Sequence, residues 1–432
     1  MASRRQFIGA ISLPLGAPAV ASALMGWRER AVPSLADLAH DDDPEALAAD
    51  EAYWADVQRA FPLDRSQINL NNGGVSPAPA YVLDSMRRHY DLANTCPAYV
   101  LWQVQLQQRE GVRERLARQW GVDPEEIAIT RNASEGLEIC QLGFDLEPGD
   151  EILTTDQDYW RMQSAFDQRA RRDRAVINRI KIPVPCENDD EIVHRFEQAI
   201  TTRTRLILMC HVINLTGQIL PVKRVVAMAR TRNVPVIVDG AHGLAQFPFK
   251  ISDLDCDYYA TSLHKWLFAP HGTGLLYVRR DKIAPLWPLM PAVEAKTADI
   301  RKFEETGTRP EAGALAIAEA LTFNQTIGFE AKAARLRHLR DAWAEPLSGN
   351  DRVTFHSSVK PAHSCAIATI GVEGVEPHAL TNYLWQNHHI LVAAIVHEDF
   401  QGIRVSPSVY TTQEELARFV DIIEAVIRKG LT

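Results

Sequence analysis

Short apolar runs alternate with helix-like stretches between residues 126 and 278. The apolar runs have the length and composition of buried strands: Glu126–Thr130, Asp150–Thr155, Arg205–Cys210, Val234–Val238 and Gly274–Val278. Apolar residues at helical spacing lie in Gln107–Trp120, Ser134–Leu142 and Val222–Thr231. Because strands that alternate with helices form parallel sheets covered on both faces, the pattern predicts a doubly wound α/β domain with a mainly parallel sheet.

The alternation stops near residue 290, where prolines and a charged stretch indicate a linker. A helix-rich segment (312–346) follows and leads into a smaller α+β region that ends in a helix over 413–429. Before the sheet-forming part, Ala, Asp and Glu dominate a helical arm. We therefore expect an N-terminal arm at 31–65, a large domain at 66–292, and a linker with a small C-terminal domain at 293–432.

Charge and cysteine content exclude several classes of function. The 46 Lys and Arg against 55 Asp and Glu leave a net charge of −9, so no overall basic field attracts nucleic acid. The six cysteines include no CxxC pair, which is neither a zinc-site spacing nor a disulfide-dense pattern. A protein that handles a small molecule, without a metal site, is the expectation.

The first 30 residues have the pattern of an export signal. Arg4 and Arg5 precede an uncharged stretch over 7–25, which ends in the small residues Ala21-Ser22-Ala23. The paired arginines before a bulky apolar pair resemble a twin-arginine signal. We expect the twin-arginine translocase as a partner, a periplasmic or otherwise exported location, and cleavage after Ala23. Prolines interrupt the apolar stretch, so we do not expect it to remain in a membrane.

An acid and a lysine lie at positions that suit pyridoxal phosphate. Asp239 ends a run of Val and Ile, and Lys265 follows in Ser-Leu-His-Lys-Trp after a second apolar run. This cofactor needs a lysine amine to hold its aldehyde and a carboxylate to keep its pyridine nitrogen protonated. Helix capping by Asp239 and a surface salt bridge of Lys265 are the alternative interpretations.

Six short motifs follow one another along the chain in the order in which one known family has them. They are Leu70-Asn-Asn-Gly73, Arg131-Asn-Ala-Ser-Glu-Gly136, Asp158-Tyr159, His211-Val-Ile-Asn-Leu-Thr-Gly-Gln218, Gly307-Thr-Arg309 and Gly402-Ile-Arg-Val-Ser406. With Val-Asp-Gly-Ala-His and Ser-Leu-His-Lys-Trp, they resemble the class V aminotransferase family of fold-type I pyridoxal phosphate enzymes. Within this family, the motifs are most similar to those of the isopenicillin N epimerase-like branch. The resemblance covers roughly residues 66–430 and implies a large doubly wound domain with a smaller α+β domain.

The resemblance assigns roles around the cofactor ring. Lys265 would hold the cofactor covalently, and Asp239 would contact the pyridine nitrogen. His242 and Asn214 would lie at the phenolic oxygen, and Tyr159 would stack on the ring. A packed polar core residue is the alternative for His242, and a surface tyrosine is the alternative for Tyr159.

The resemblance also assigns a phosphate site. Ala133 and Ser134 open a helix directly after a strand, where free N–H groups favour an anion. Ser262 and His264 would reach the same phosphate from the other side. Thr308 resembles a residue that contacts the phosphate bound in the neighbouring subunit, which implies a homodimer. Ordinary helix capping is the alternative for the helix start.

On the substrate side, Arg404 would bind an α-carboxylate with its two-pronged guanidinium, unless it forms a surface ion pair. Asn72, with Asn71, would line the substrate side. Cysteine desulfurases of this family carry a loop cysteine shortly before the arginine, whereas residues 385–403 contain none. Persulfide chemistry on such a loop is therefore not expected.

We expect an enzyme that acts at the α-carbon of an amino acid or an amino-acid-containing compound, as an epimerase does. A class V aminotransferase and a carbon–sulfur lyase are the alternatives with the same cofactor, since fold and cofactor do not determine the reaction. An exported binding protein that keeps the fold without the chemistry is the alternative from another class. Lys265 is the expected base on one face of the substrate, and the sequence does not identify the group on the opposite face.

Overall fold

The computed structural model describes residues 32–431. The predicted export signal and its cleavage site lie outside these residues, so both stay predictions. Among the described residues, no helix is both long enough and apolar enough to cross a membrane.

The strands and helices are numbered in chain order. The strands are β1 (Ile68–Asn69), β2 (Ile127–Thr130), β3 (Glu151–Thr155), β4 (Val176–Ile180), β5 (Thr204–Cys210), β6 (Val236–Asp239), β7 (Tyr258–Ser262), β8 (Gly274–Val278), β9 (Val353–Phe355), β10 (Ala368–Val372), β11 (Ile390–Leu391), β12 (Ala393–Val396) and β13 (Gln401–Val405). The helices are α1 (Pro44–Ala48), α2 (Glu51–Arg59), α3 (Ala80–Thr95), α4 (Pro97–Tyr99), α5 (Leu106–Trp120), α6 (Ala133–Gly143), α7 (Trp160–Asp173), α8 (Asp189–Ala199), α9 (Val222–Arg230), α10 (Ile251–Leu254), α11 (Arg280–Ile283), α12 (Ala312–Leu315), α13 (Ile317–Ile327), α14 (Phe329–Leu347), α15 (Pro377–His388) and α16 (Gln413–Lys429). A π-helical segment, Val100–Gln105, joins α4 to α5.

A seven-stranded sheet forms the larger part of the molecule, with strand order β2-β8-β7-β6-β5-β3-β4. Strands β3 to β7 pair in parallel, and β8 runs antiparallel to both β7 and β2. Every residue of β6 and of β7 is buried, as expected for strands covered on both faces by helices. The predicted α/β fold with a mainly parallel sheet is confirmed.

The edge strand β4 has no counterpart among the predicted strands. Its side chains are exposed or half-buried, and polar Asn178 and Arg179 interrupt its apolar residues. Because an edge strand needs no continuous apolar run, the composition that revealed the central strands was absent here. Pairing with β3 places β4 in the sheet.

A smaller antiparallel sheet has the order β12-β13-β10-β9. Its core contains Ile370 and Ile403 from the strands, Trp343 from α14 and Phe419 from α16. Helix α16 starts with a capping box, in which Thr412 Oγ1 accepts a hydrogen bond from the backbone N–H of Glu415 at 3.0 Å. This region matches the α+β unit expected at the C-terminal end.

The two cores share chain segments across the predicted domain boundaries. Strand β1 pairs in parallel with β11, and Ile68 packs in the smaller core. Conversely, Phe323 of α13 packs in the core of the large sheet. The division at residues 66 and 293 stays a prediction. The pairing of β1 has a direct consequence for function, because it brings the Asn-Asn-Gly motif next to β13.

Candidate active site

A cavity of about 300 Å³ lies at the carboxyl ends of β5, β6 and β7. Ligands of open α/β sheets bind at this edge, because the loops after parallel strands meet there. All but three of the predicted site residues line the cavity: Ala133, Ser134, Tyr159, Asn214, Asp239, His242, Ser262, His264, Lys265 and Arg404. Residues far apart in sequence are thus brought to one place.

One end of the cavity is built to receive an anion. Ala133 and Ser134 begin α6, where the first N–H groups have no partner within the helix. The N–H of Ala133 donates to Ser262 Oγ at 2.9 Å, which joins the helix start to the end of β7. Gly274 permits this approach, because a Cβ there would lie 2.7 Å from the backbone of Asn132. Asn132 caps the helix through Glu135 N, so the expected capping and an anion site coexist.

His264 faces the same end of the cavity in a defined tautomer. Its Nδ1 lies 3.0 Å from the carbonyl oxygen of Thr273, which only accepts hydrogen bonds, so Nδ1 carries the proton. Burial lowers the pKa of His264 to about 4. The ring is therefore neutral at pH 7, with Nε2 as an acceptor. His264 donates to a phosphate oxygen through Nε2 only when it takes up a second proton.

Burial brings the pKa of the Lys265 amine close to neutral pH, so the uncharged form is accessible. Its Nζ lies 3.2 Å from His242 Nε2, and the indole N–H of Trp266 donates to His242 Nδ1 at 3.4 Å. Since the indole only donates, Nδ1 accepts and Nε2 carries the proton of the neutral ring, so Nε2–H donates to the lysine nitrogen when that amine is uncharged. Burial lowers the pKa of Lys265 to about 8, against the raising effect of Asp239. A neutral amine is the form that attacks an aldehyde and takes up a proton.

Asp239 supplies a buried carboxylate at the end of β6. Its Oδ1 accepts from the N–H of Ala241 at 3.0 Å, which orients the group. Burial raises the pKa of Asp239 to about 6, and the Ala241 N–H and nearby Lys265 oppose that rise. A carboxylate so placed favours a protonated ring nitrogen as its partner, because the pair offsets the cost of burying the charge.

The loop after β3 is held by the neighbouring carboxylate Asp158. This side chain accepts from Thr154 Oγ1 at 2.6 Å, from Thr155 N at 2.7 Å and from Cys210 N at 3.0 Å. The last contact ties the loop to the end of β5. Tyr159 follows directly and is the N-cap residue of α7, so its position in the cavity wall depends on this network.

Arg404 lies on β13 of the small sheet and reaches into the cavity. Its NH1 donates to the carbonyl of Asn214 at 2.7 Å, and its NH2 donates to Asn71 Oδ1 at 2.8 Å. Its buried Nε has no partner among the described residues, and neither does the buried Oδ1 of Asn214. Burial lowers the pKa of Arg404 to about 10, so the side chain is charged at pH 7. A cation with unused donors is suited to a carboxylate.

The structure does not bring Asn72 into the cavity. Asn72 is fully buried, and its Nδ2 donates to the carbonyls of Asn69 and Ser406, each at 3.0 Å. Its Oδ1 accepts from the hydroxyl of Tyr410. Its side chain therefore joins β1 to the end of β13, and the expected contact with substrate is not supported. The neighbouring Asn71 faces Arg404 instead.

Thr308 also lies outside the cavity, exposed at a separate groove with Tyr90 and Arg309. The segment that carries it is anchored by Glu304, which accepts from Arg113 NH1 at 2.7 Å and pairs with Arg109 at 2.9 Å. Within one chain, Thr308 is therefore not a phosphate ligand. Its predicted role toward a neighbouring subunit stays a prediction.

Cys210, at the end of β5, also lines the cavity and was not among the predicted residues. Burial and the nearby Asp158 and Asp239 carboxylates raise the pKa of this thiol well above its usual range. The sequence feature that could have identified Cys210 as a cavity residue was its position at the end of a predicted buried strand. Cys365 is fully buried just before β10, and its Sγ donates to Gln246 O at 3.5 Å. Neither thiol is a reactive thiolate.

The cavity as a whole fits pyridoxal phosphate. The start of α6 can hold the phosphate, Lys265 can bind the aldehyde, and Asp239 can contact the ring nitrogen. The buried Oδ1 of Asn214, which has no partner among the described residues, can accept a hydrogen bond from a polar ligand atom. Gly73 keeps space free, since a Cβ there would lie 3.5 Å from His242 Cε1 and 3.6 Å from the guanidinium carbon of Arg404.

Comparisons with known proteins agree with this site. Residues 68–419 match the family described as aminotransferase class-V. Isopenicillin N epimerases of Streptomyces clavuligerus and Amycolatopsis lactamdurans are 29% and 30% identical, over 87% and 86% of this chain and 98% of each relative. A probable cysteine desulfurase of Vibrio cholerae is 26% identical over 86% of this chain and 98% of its own length.

Among solved structures, a variant of a cystine C–S lyase with glycine covalently linked to its pyridoxal phosphate has a TM-score of 0.76. It is 24% identical, and the match covers 85% of this chain and 98% of that one. The likeness extends over the whole fold. The chain belongs to the class V aminotransferase family and is a pyridoxal-phosphate-dependent enzyme.

Proposed function

We propose that this enzyme acts at the α-carbon of an amino acid or an amino-acid-containing compound, as isopenicillin N epimerases do. The observation that carries the proposal is that one cavity holds a lysine amine of lowered pKa and a buried arginine that keeps donors free. Lys265 supplies the amine, and Arg404 supplies the guanidinium. An α-amino acid carries its removable proton and its carboxylate on the same carbon, so it engages both groups at once.

Bound pyridoxal phosphate supplies an aldehyde that holds the amino group and a ring that accepts the electron pair left by the α-proton. The residues of the chain do the rest. Asp239 keeps a positive charge on the ring nitrogen favourable, because its buried carboxylate needs a cationic partner. Lys265 Nζ, when uncharged beside His242, takes the α-proton. Arg404 fixes the carboxylate and thereby the direction of the α-proton.

Epimerisation requires a second proton donor on the opposite face, and we assign that role to Tyr159. Lys265 follows β7 and Tyr159 follows β3, with β6 and β5 between them in the sheet. At about 4.8 Å per strand, the two strand ends lie roughly 14 Å apart, so the two residues approach the cavity from opposite sides. Tyr159 lines the same cavity as Arg404, the residue proposed to hold the substrate carboxylate.

The alternatives predict different products. An epimerase exchanges the α-proton for solvent deuterium without net consumption of substrate, whereas an aminotransferase forms stoichiometric keto acid. A carbon–sulfur lyase releases sulfur from a cysteine-type substrate, and a binding protein without chemistry lacks the near-visible absorbance of lysine-bound cofactor. The protonated state of Cys210 and the absence of a cysteine over 385–403 disfavour persulfide formation on the enzyme.

The test is proton exchange in deuterium oxide with separate D- and L-amino acids, in wild type and in Tyr159→Phe. Loss of a positioned acid or base costs about 10²- to 10⁴-fold. The variant should epimerise at a rate reduced by that factor, while still exchanging the proton of the enantiomer that faces Lys265. Tyr53→Phe is the matched control, because it removes a phenol hydroxyl that donates to the carbonyl of Leu38 at 3.0 Å, away from the cavity. Equal loss of exchange for both enantiomers would remove Tyr159 from this role, and keto acid formation would refute epimerisation.

We further propose a homodimer in which Thr308 of each chain reaches the phosphate bound by its neighbour. A groove of about 860 Å³ shares Asn132 with the cavity, and exposed Tyr99 and Trp102 are apolar surface suited to an interface. Hybrids of Thr308→Ala and Lys265→Ala test this, because each mixed dimer would contain one site with both residues intact. Mixing two inactive preparations should then restore up to about a quarter of the wild-type activity. No recovery in verified mixed dimers would contradict the shared site.

We also propose that residues 1–30 direct export of the folded protein through the twin-arginine translocase to the periplasm. Support comes from Arg4-Arg5, the uncharged stretch that follows them and Ala21-Ser22-Ala23. A reporter fused to residues 1–30 should be exported, and replacing both arginines by lysine should stop it. Continued export of the double-lysine fusion would indicate another route.

A further inference from the structure

A second lysine is completely buried behind the turn that carries Lys265. Lys332 lies on α14, and its Nζ donates to the carbonyl of Trp266 and, at 2.6 Å, to Asn324 Oδ1. The same Nζ lies 4.0 Å from the ring centre of Phe268. No carboxylate of residues 32–431 forms an ion pair with it. A lysine buried without a counter-charge lowers stability, so a methionine of similar shape would pack at lower cost.

The contacts of Lys332 converge on the backbone directly after Lys265. Asn324, which binds Lys332, donates from Nδ2 to the carbonyl of Leu267 at 2.8 Å. The carbonyls of both residues that follow Lys265 are therefore held by one polar pair. The chain reverses at the next residue, Phe268, where φ is 60°, a conformation unfavourable for a residue with a branched or bulky side chain. A turn of this kind needs such external support.

Trp266 connects this support to the reactive amine. Its backbone carbonyl is bound by Lys332, and its indole N–H donates to His242 Nδ1. That donation makes Nε2 the protonated nitrogen, which in turn faces Lys265 Nζ. A displacement of Trp266 removes the donor to Nδ1, so the ring is free to reverse its tautomer and the amine loses a fixed partner.

We propose that Lys332 is a positioning residue, which holds Trp266 so that His242 keeps a fixed orientation toward Lys265. The inference rests on the proposed role of Lys265 in proton transfer. It predicts that loss of Lys332 changes the protonation behaviour of Lys265 and not only the stability of the fold.

The experiment measures how fast the apoenzyme captures pyridoxal phosphate on Lys265 as a function of pH. Borohydride reduction and peptide mass spectrometry identify the lysine attached. The wild-type rate should have its midpoint near pH 8, the pKa of Lys265. Lys332→Met should raise that midpoint by about one unit, which lowers the uncharged fraction at pH 8 about fivefold. Lys332→Gln retains a donor to the Trp266 carbonyl and should restore part of the shift.

Lys302→Met is the matched control. Lys302 is also buried, donates to the carbonyls of Ile283 at 2.6 Å and Thr297 at 2.8 Å, and lies 5.1 Å from the ring centre of Phe303. Both methionine variants should change the melting temperature, but only Lys332→Met should move the midpoint.

An unchanged midpoint in Lys332→Met, or the same midpoint shift in both methionine variants, would overturn the proposal. Where Lys332→Met fails to fold, Asn324→Ala, which frees the Leu267 carbonyl, provides the same readout, and an unchanged midpoint there overturns it. Capture involves no substrate, so this result is independent of whether the enzyme epimerises.

Discussion

Replacement of Arg404 by lysine tests how the substrate carboxylate is held. A guanidinium has five N–H donors. One goes to the Asn214 carbonyl and one to Asn71 Oδ1, so one on each terminal nitrogen and the buried Nε–H remain. These are enough for two parallel hydrogen bonds to a carboxylate. A lysine keeps the charge but loses the planar fork.

The size of the effect follows from the bonds lost. A hydrogen bond to a charged group contributes about 1.5–3 kcal/mol. Arg404→Lys should lose one of the two, which weakens amino-acid binding roughly 10- to 150-fold. Arg404→Ala should lose both, for a loss of at least about 100-fold. Cofactor affinity should stay close to wild type in both variants, because the phosphate is held at the start of α6, whereas the hydrogen bonds of Arg404 go to Asn214 and Asn71.

Spectral titration of the cofactor-loaded enzyme measures the affinity directly. Each variant is titrated with an amino acid that binds the wild type and with the amine left after removal of its carboxyl group. The substitutions should weaken binding of the amino acid and leave binding of the amine nearly unchanged. Equal weakening of both ligands would show that Arg404 acts through the shape of the cavity and not through the carboxylate, and unchanged amino-acid binding would refute the assignment outright.

Further predictions concern the cofactor-binding groups. Lys265→Ala should retain the fold but lose borohydride-stable attachment of the cofactor, and attachment at another lysine would contradict the assignment. Apo Lys265→Met should be more stable than apo wild type at pH 7 by at most about 3 kcal/mol, because the native pKa of about 8 lies below the unfolded value of 10.5. The unfolding free energy of the apo wild type should rise as pH rises from about 8 to 10.5, so the difference between the two proteins should vanish above that range. A difference that stays constant with pH would contradict the lowered pKa. Asp239→Asn should retain the cofactor but slow α-proton exchange, and unchanged exchange would exclude the carboxylate. Phosphate binding to the apoenzyme at pH 7 should take up a proton on His264, measured by calorimetry in buffers of different ionisation enthalpy; the absence of uptake would show that His264 does not donate.

Sequence alone predicted the elements whose signals are local. The buried strand that ends at Asp239 is a continuous apolar run, and α16 has both a capping box and an apolar stripe, so neither depends on distant residues for its recognition. Lys265 could be identified because its neighbours in the chain form a recognisable motif. The carboxyl ends of parallel strands meet at one edge, so the meeting of Asp239 with the turn after β7 also followed from the strand pattern.

Tertiary structure decided between residues that the sequence could not distinguish. Asn71 and Asn72 are adjacent and chemically identical, yet only Asn71 contacts Arg404, because pairing of this segment with β11 and with Ser406 after β13 sets which side chain points toward Arg404. Thr308 lies outside the cavity because Glu304 anchors its segment to α5. The anchor is an ion pair with Arg113, which is 191 residues away in the sequence. Lys332 had no local signal at all.

One physical cause separates the features that the sequence predicts from those that only the tertiary structure decides. Backbone propensity, capping and strand burial are determined by neighbours in the chain, and they specified the α/β frame, the cofactor lysine and its carboxylate partner. The direction of a side chain, its tautomer and its charge depend on groups that meet only when the sheets and helices pack. The lowered pKa of Lys265, which results from burial and to a lesser degree from the nearby charge of Arg404, is therefore a property of the folded chain and not of its sequence motif.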